Sequence, residues 1–384
     1  MKIGSAIPFG WRALVAKAAV TMRPDPGRAL AQASMRAALY AMNQAAWFAD
    51  DHFWPAWRDA RFRGPLFVIG HQRSGTTLLH RLLAGGTDAR ALTLADMLFP
   101  SIAAQRLAET AFSLDTSMGG RLRTGLDRAQ ERRFGPLDAL HRMRLDQVEE
   151  DEILLWAIGA SGMCATDDPR SVAATSLASL RHAELWPAET RERVFDYYRD
   201  CLRKKAYREI RKVDLAPWIV SKNPAFCQRI PVLLATFPEA RFVHLVRDPR
   251  EAIPSRLHLV RAIWRHRLPW FRDPTEAQIA AIVDDSVASY LLAHRDLSPV
   301  PRERKIVVRF EELMDDPNRT ADSVRWQFGL ERRAADRDPA RGARKRNPRH
   351  VLAEFGLDDA TIEGRLRDVF EEHGVHWKNS REEP

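Results

Sequence analysis

The chain has 384 residues, of which 45% are hydrophobic and 29% are charged, and its formal net charge is +9. This balance is typical of a soluble globular protein with a sizeable core. The three cysteines lack CxxC spacing, which argues against a disulfide framework and a zinc site. The basic charge indicates an anionic ligand or surface, but no zinc-finger, homeodomain or RNA-binding motif accompanies it, so we expect no nucleic acid partner.

Residues 1–62 are predicted to form a helical extension ahead of the main domain. Residues 29–48 are rich in alanine and in helix-forming polar residues, and the tryptophan-rich stretch after them predicts packing on the core or a dimer contact. A homodimer is therefore left open. The apolar stretch at residues 7–22 is short and interrupted by charged residues, so we expect no integral membrane segment and a cytoplasmic protein.

The next segment predicts a strand, a tight loop and a helix in succession. Leu66 to Ile69 is a short apolar run typical of a buried strand. A loop from Gly70 to Gly75 follows, and the leucines after it recur at helical spacing. Such an arrangement binds anions, because the first-turn N–H groups have no intrahelical partner and the helix dipole adds positive charge.

This loop differs from a Walker A loop at one position. Gly70 and Gly75 have the Walker spacing, and Thr77 fills the final hydroxyl position. Thr76 stands where the Walker lysine belongs, and a cation comes earlier, at Arg73. Because that lysine reaches the β- and γ-phosphates, its absence disfavours ATP or GTP hydrolysis. A small-molecule kinase stays open as an alternative.

The loop resembles the 5′-phosphosulfate loop of sulfotransferases that use 3′-phosphoadenosine-5′-phosphosulfate (PAPS). In that family a strand is followed by a basic residue, Ser or Thr, Gly, and two further Ser or Thr residues. The resemblance implies that the cofactor is bound by Gly70, Arg73, Ser74, Gly75, Thr76 and Thr77.

A candidate base follows at Asp96. The segment Met97 to Pro100 resembles the Trp-Glu-Met-Leu-Phe-Pro of bacterial relatives, with Asp96 in place of the glutamate and Ala95 in place of the tryptophan. In the related tyrosylprotein sulfotransferases a glutamate in the comparable segment is the base, so the resemblance implies that Asp96 takes the acceptor's proton. A carboxylate of Glu149 to Glu152 is one alternative. A histidine, as in cytosolic sulfotransferases, is the other, from His71, His80 or His141.

Further along the chain, a strand is predicted to end at Lys222. The helix before it, Thr190 to Lys212, has a basic end that we expect to be solvated surface. The strand's Lys-x-Pro ending resembles Trp-Val-Leu-Lys-x-Pro in relatives, which implies that Lys222 stabilises negative charge during transfer. A helix at Pro231 to Phe237 and a further strand come next, and this order requires a right-handed crossover and a parallel sheet.

The second cofactor motif begins where the strand Arg241 to Val246 ends. Arg247-Asp248-Pro249 follows the strand, and Ser255 comes eight positions after Arg247. In PAPS-dependent sulfotransferases a strand ends in Arg-Asp-Pro or Arg-Asn-Pro, and a serine follows at this offset. The resemblance implies that Arg247 and Ser255 bind the 3′-phosphate of PAPS. A guanidinium with a hydroxyl suits a phosphate monoester.

The C-terminal part predicts a further strand at Lys305 to Phe310 and a helix at Asn318 to Phe328. Residues 331–350 are dense in charge, which predicts a disordered segment. A basic loop of the family closes over the adenosine 3′-phosphate near this point, and the role of the segment stays open. A final helix is predicted to run to about Glu372.

We therefore predict an α/β protein with a P-loop-containing three-layer α/β/α domain at residues 63–375. The domain has a short parallel sheet, and the protein adds extra N- and C-terminal helices and a tail at residues 376–384. The resemblance implies transfer of a sulfuryl group from PAPS to a hydroxyl of a small-molecule, lipid or glycan acceptor, giving PAP and a sulfate ester. It implies catalytic roles for Arg73, Lys222 and Asp96, with no metal. A non-catalytic PAP- or PAPS-binding protein is the second alternative.

Overall fold

A computed structural model of the chain describes residues 26–135, 138, 143–162, 169–172, 182–210, 216–268, 270–331 and 351–373. Its strands are β1 (Arg63–Gly70), β2 (Ala89–Arg90), β3 (Trp218–Lys222), β4 (Arg241–Val246) and β5 (Lys305–Arg309). Its α-helices are α1 (Pro26–Phe53), α2 (Thr76–Ala84), α3 (Leu94–Leu98), α4 (Ile102–Ser117), α5 (Arg121–Phe134), α6 (Glu152–Ala157), α7 (Pro169–Val172), α8 (Ala188–Ile210), α9 (Ile230–Thr236), α10 (Pro249–Arg267), α11 (Glu276–Leu297), α12 (Phe310–Asp315), α13 (Pro317–Phe328), α14 (Asp359–Arg365) and α15 (Arg367–His373).

Within the described residues, a five-stranded sheet has the order β2-β3-β1-β4-β5. Strands β1, β4 and β5 pair in parallel, with Leu66 opposite Arg241 and Phe242 opposite Lys305. The apolar run of β1 is fully buried, as expected for a parallel strand covered on both faces. The predicted α/β class with a short parallel sheet is confirmed.

Strand β2 is only two residues long, because a helix begins soon after it. Thr93 caps α3: its hydroxyl accepts a hydrogen bond from the N–H of Asp96, and the Asp96 carboxylate accepts one from the N–H of Thr93. This reciprocal capping box satisfies two N–H groups at the helix start. The chain therefore turns into α3 at Leu94, and only Ala89 and Arg90 remain as strand.

The chain divides into two compact units. The first unit comprises Met1–Arg63, Arg90–Cys164 and Trp186–Ile219, and the second comprises Gly64–Ala89, Ala165–Leu185 and Val220–Pro384. The domain limits drawn from the sequence, with a boundary after residue 62 and a tail from residue 376, stay a prediction. Residues 332–350, including the basic run predicted to be disordered, lie outside the described residues.

The second unit has a core that fixes two helices beside the sheet. Helices α10 and α11 contribute Ile253, Leu257, Trp264 and Val283 to one buried apolar cluster, together with residues from the C-terminal helices. Burying apolar side chains of this size is the main term that holds such helices in place. The helix that carries Ser255 and the helix that carries Tyr290 are thereby anchored to each other.

None of the helices in the described part of the chain has the length and apolar character needed to cross a membrane.

Candidate active site

The predicted glycine loop lies between β1 and α2, in the second unit. At Gly70 (φ 150°) a Cβ atom would lie 2.4 Å from the carbonyl oxygen of Leu245 on β4. At Gly75 (φ 85°) it would lie 2.9 Å from Leu313 Cδ2 on α12. Both positions therefore require glycine, for close approach and for backbone conformation. The loop runs tightly against its neighbours, as a phosphate-binding loop does.

Arg73 stands at the centre of the loop in an unusual conformation. With φ 73°, it is the one non-glycine residue of the described chain in the left-handed region, at a cost of about 1–2 kcal/mol. Contacts from the second motif hold it there. Its carbonyl accepts a hydrogen bond from Arg247 Nη1 (2.9 Å), and its Nε donates to Ser255 Oγ (3.2 Å). Two motifs 174 residues apart in sequence thus meet at Arg73.

Helix α2 and Lys222 complete this cluster. The helix begins at Thr76 after the left-handed Gly75, and no side chain caps it. The Leu78 N–H donates to the Gly75 carbonyl oxygen at 3.0 Å, which leaves the N–H groups of Thr76 and Thr77 for a ligand. Lys222, at the end of β3, is fully buried and its Nζ donates to Thr77 Oγ1 at 3.2 Å. The lysine predicted to stabilise charge therefore contacts the hydroxyl in the last position of the loop motif.

The charges in the cluster favour an anion. Burial, and after it the charge of Arg247, lowers the pKa of Arg73 below its ordinary value. A guanidinium nevertheless stays protonated at neutral pH. Arg247 forms an ion pair with Glu251 (3.1 Å), and its guanidinium lies 4.2 Å from the ring centre of Phe310. Two neighbouring guanidinium groups held in place in this way repel each other, and a bound phosphate would relieve that repulsion.

Asp96 lies in the first unit, where it makes ion pairs. Its Oδ2 accepts from Lys205 Nζ (2.9 Å) and from the Thr93 N–H (3.0 Å), and its Oδ1 accepts from Arg208 Nη1 (2.7 Å). Burial by itself would raise its pKa, but the charges of Lys205 and Arg208 lower the pKa to about 2. The carboxylate is ionised and well held, but a weak proton acceptor in this arrangement. Its role as the base stays a prediction.

The family described as "Sulfotransferase family" matches the chain over residues 65–334, a span that contains both motifs. The chain belongs to the sulfotransferase family.

Curated relatives of the chain include the omega-hydroxy-beta-dihydromenaquinone-9 sulfotransferases Stf3 of Mycobacterium bovis and Mycobacterium tuberculosis. Each is 27% identical over 277 residues, which cover 69% of this chain and 63% of the relative. The chain thus matches less than two thirds of their length.

Solved structures resemble the chain over most of its length. Sulfotransferase STF1 from Mycobacterium tuberculosis has a TM-score of 0.66 at 17% identity, covering 93% of this chain and 92% of that one. Sulfotransferase STF9 from Mycobacterium avium has a TM-score of 0.64 at 18% identity, covering 87% and 84%. At such identity the likeness shows a shared fold.

Sequence reasoning missed one residue of this candidate site, Tyr290 on α11. Its hydroxyl donates to the carbonyl oxygen of Arg247 (2.8 Å), and its ring stacks on His71 with centroids 5.0 Å apart. Both side chains are buried. In the sequence, Tyr290 occupies an apolar position of a helix with regular apolar spacing. No local signal therefore distinguishes it from the ordinary core residues of that helix. The structure shows that it supports both the loop and the Arg-Asp-Pro turn.

A buried polar network lies beside this support. Arg256 of α10 forms an ion pair with Asp285 of α11 and donates to Ser286 Oγ at 2.8 Å. Gln228 donates to Asp285 Oδ1 at 3.1 Å. Hydrogen bonds and ion pairs between polar groups that are shielded from water favour one packing arrangement of the elements that carry them. The network therefore holds α10, and with it Ser255, in register with α11.

The histidines named as alternative bases are poor proton acceptors where they can be described. Burial lowers the pKa of His71 to about 3, with Arg256 adding to the effect. Burial, followed by the charge of Lys222, lowers the pKa of His80 to about 3, and its Nε2 lies 3.2 Å from the Val220 carbonyl oxygen. His141 lies outside the described residues.

The acidic cluster before α6 has structural contacts in the first unit. Tyr198 donates to Asp151 Oδ2 at 2.5 Å, and the N–H of Gly162 donates to Glu152 Oε1 at 3.2 Å. Both carboxylates are buried, and Glu152 occupies the first turn of the helix. These contacts agree with the helix-start role that such residues commonly have.

Proposed function

We propose that the chain is a PAPS-dependent sulfotransferase that moves a sulfuryl group to a hydroxyl acceptor, giving PAP and a sulfate ester. One observation carries the proposal: the loop residue Arg73 is in direct contact with both Arg247 and Ser255. PAPS has an anionic group on each side of its adenosine, and the two motifs offer two sets of anion-binding groups side by side.

The residues present fit this cofactor. Arg247 and Ser255 would hold the 3′-phosphate, because a guanidinium and a hydroxyl together match a phosphate monoester. The uncapped first turn of α2, with Arg73 and Thr77, would hold the 5′-phosphosulfate. Ser74 in the loop and Thr76 at the start of α2 are both buried. When bound, PAPS supplies the activated sulfuryl group.

The side chains of this site would act through charge and position. Sulfuryl transfer spreads negative charge over the moving group and the leaving oxygen, as phosphoryl transfer does. Arg73 and Lys222 would stabilise that charge. Lys222 is buried and held by Thr77, so little reorganisation is needed when the charge develops. Fixed donors aimed at developing charge give large rate effects in a site that excludes water.

Asp96 enters the proposal as the base. With a pKa of about 2, its carboxylate is a weak proton acceptor while the two ion pairs are in place. The role therefore requires that binding of the acceptor displaces Lys205 or Arg208 from the carboxylate, which would raise its proton affinity.

For the acceptor we propose a hydroxyl of a lipid-like molecule. Stf3 is named for an omega-hydroxy-beta-dihydromenaquinone-9, and it aligns with 69% of this chain. The cytoplasmic location and the homodimer foreseen from the sequence are kept as parts of the proposal.

Transfer can be tested with PAPS that carries labelled sulfur and a bacterial lipid extract. We expect label to move into the organic phase, and Lys222→Met to abolish the transfer while PAP still binds. Label that moves equally well with Lys222→Met would contradict the proposed role. PAP binding without transfer to any hydroxyl acceptor would favour the non-catalytic binder. Phosphate transfer from Mg²⁺–ATP would favour the kinase.

A further inference from the structure

Helices α4 and α5 form a hairpin (residues 102–134) in the first unit, and one face of α4 is apolar and exposed. Leu107, Leu114 and Met118 are 72%, 59% and 78% exposed. Their spacings of seven and four residues place them on one side of the helix and its last turn. Single exposed apolar residues are ordinary, but three in a row on one face mark a surface that binds something.

The turn of the hairpin continues this apolar surface. Gly119 and Gly120 both have left-handed φ values, 90° and 72°, and a Cβ at either would meet no atom within 4 Å. Leu122, just past the turn, is 51% exposed. We call Leu114, Met118 and Leu122, with the two glycines, the hairpin tip. It carries flexible apolar side chains on a narrow turn that other described elements leave uncovered.

Helix α5 is strongly basic. It carries five exposed arginines against two acidic residues: Arg121, Arg123, Arg128, Arg132 and Arg133 against Asp127 and Glu131. Three of the arginines recur at spacings of seven and four residues, and so share one face. Gln130 is the one buried residue of this helix.

Two acidic groups of the hairpin are already engaged. Asp115 caps α5, accepting hydrogen bonds from the N–H groups of Leu122 (2.8 Å) and Arg123 (2.9 Å). Glu131 forms an ion pair with Arg144 (2.7 Å). Among the described residues, none of the five arginines of α5 makes an ion pair. Their charge is therefore available to an anionic partner.

We propose that the hairpin tip binds the surface of an anionic lipid bilayer, with its apolar side chains inserted and the arginines of α5 at the lipid phosphates. Apolar residues flanked by arginines are the combination that interfacial membrane binding uses. A bilayer accepts a narrow convex turn, whereas a specific protein partner would need a complementary surface of roughly 800 Å². The inference goes beyond the proposed function and does not depend on it.

The test is flotation of the full chain with phosphatidylglycerol vesicles and with phosphatidylcholine vesicles. We expect binding to the anionic vesicles, weaker binding to the neutral ones, and loss of binding as salt is raised. Met118→Glu with Leu122→Glu should lower the partition coefficient at least about tenfold, and each of Arg121→Gln and Arg123→Gln about fivefold. Trp326→Glu, at an apolar residue of α13 that is 88% exposed, is the matched control and should change nothing.

Equal binding to both vesicle types, or an equal effect of the control variant, would overturn the proposal. A dimer in sedimentation velocity that Met118→Glu dissociates, without vesicle binding, would make the tip a contact between copies and also overturn it. Circular dichroism of each variant reports on folding, and a PAP titration reports separately on the proposed function. Vesicle binding by a chain that fails to bind PAP would leave this inference standing and contradict the proposed function.

Discussion

At the scale of single residues, Arg73 combines a strained backbone with the charge that the site needs. The strain suggests a direct experiment, in which Arg73→Ala and Arg73→Gly are compared. Both lose the guanidinium, so we expect both to lower kcat by a factor of about 10²–10³. Only glycine relieves the left-handed conformation, so Arg73→Gly should be more stable than Arg73→Ala by about 1 kcal/mol. Urea unfolding measures the difference, and equal stabilities would contradict the strain.

Asp96 allows a separate test of stability. Its folded pKa of about 2 lies below the ordinary value of 3.8, so the ionised form stabilises the fold above that ordinary value. We expect Asp96→Asn to lower the free energy of unfolding by about 2–3 kcal/mol at neutral pH. The difference from the wild type should shrink as the pH falls from about 4 to about 2. A difference that is the same at both ends of that range would contradict the ion pairs seen here.

The same residue tests the proposed base. If Asp96 takes the acceptor's proton, Asp96→Asn should lower kcat by about 10²–10⁴ with unchanged PAP affinity. Lys205→Met is the matched control, because it breaks the ion pair but keeps the carboxylate. A loss of activity in both variants that follows their loss of stability would assign Asp96 a purely structural role.

At the scale of elements, helix α11 supports the two motifs through Tyr290, and removal of its hydroxyl group tests that support. Tyr290→Phe keeps the ring stacked on His71 but removes the donor to the Arg247 carbonyl. We expect PAP to bind about threefold to tenfold more weakly, which corresponds to one ordinary hydrogen bond. Tyr198→Phe is the matched control, since it removes a buried hydroxyl from the first unit and should leave PAP affinity unchanged. A loss of affinity in both variants would indicate general destabilisation.

Some of the elements and their contacts could be predicted from the sequence, and others could not. The loop and the Arg-Asp-Pro turn could be predicted, because glycine spacing and strand-to-turn order are local properties of the chain. The ion-pair partners of the side chains on α8 could not be predicted. Its basic end was expected to be solvated, and that expectation is wrong for Lys204, which is 1% exposed and paired with Asp50 at 2.7 Å. Its partner lies 154 residues away, and no local pattern encodes such a contact.

At the scale of the whole molecule, we expect three buried histidines to make the free energy of unfolding depend on pH. Burial lowers the pKa values of His71, His80 and His244 to about 3. Each histidine therefore stabilises the fold above its ordinary pKa of 6.5, and that contribution is lost as the pH falls through the folded pKa. Below about pH 6.5 we expect the free energy of unfolding to fall by up to about 1.4 kcal/mol per pH unit for each histidine.

The histidine variants give the check. In the window from about pH 6.5 to 5, His244→Gln should reduce the slope of unfolding free energy against pH by about one proton. His266→Gln, an exposed histidine at the end of α10, is the control and should leave the slope unchanged. An unchanged slope in His244→Gln would mean that its imidazole is not held neutral by burial.

The central claim is that the two motifs form one PAPS site, and calorimetric titration with PAP and with Mg²⁺–ATP tests it most directly. We expect PAP to bind clearly, ATP to bind weakly, and Arg247→Ala to lower PAP affinity by about 10- to 100-fold, since a charged hydrogen-bond donor is lost. Arg241→Ala, at the other end of β4, should leave the affinity unchanged. ATP binding as tight as PAP binding, with no effect of Arg247→Ala, would contradict the account.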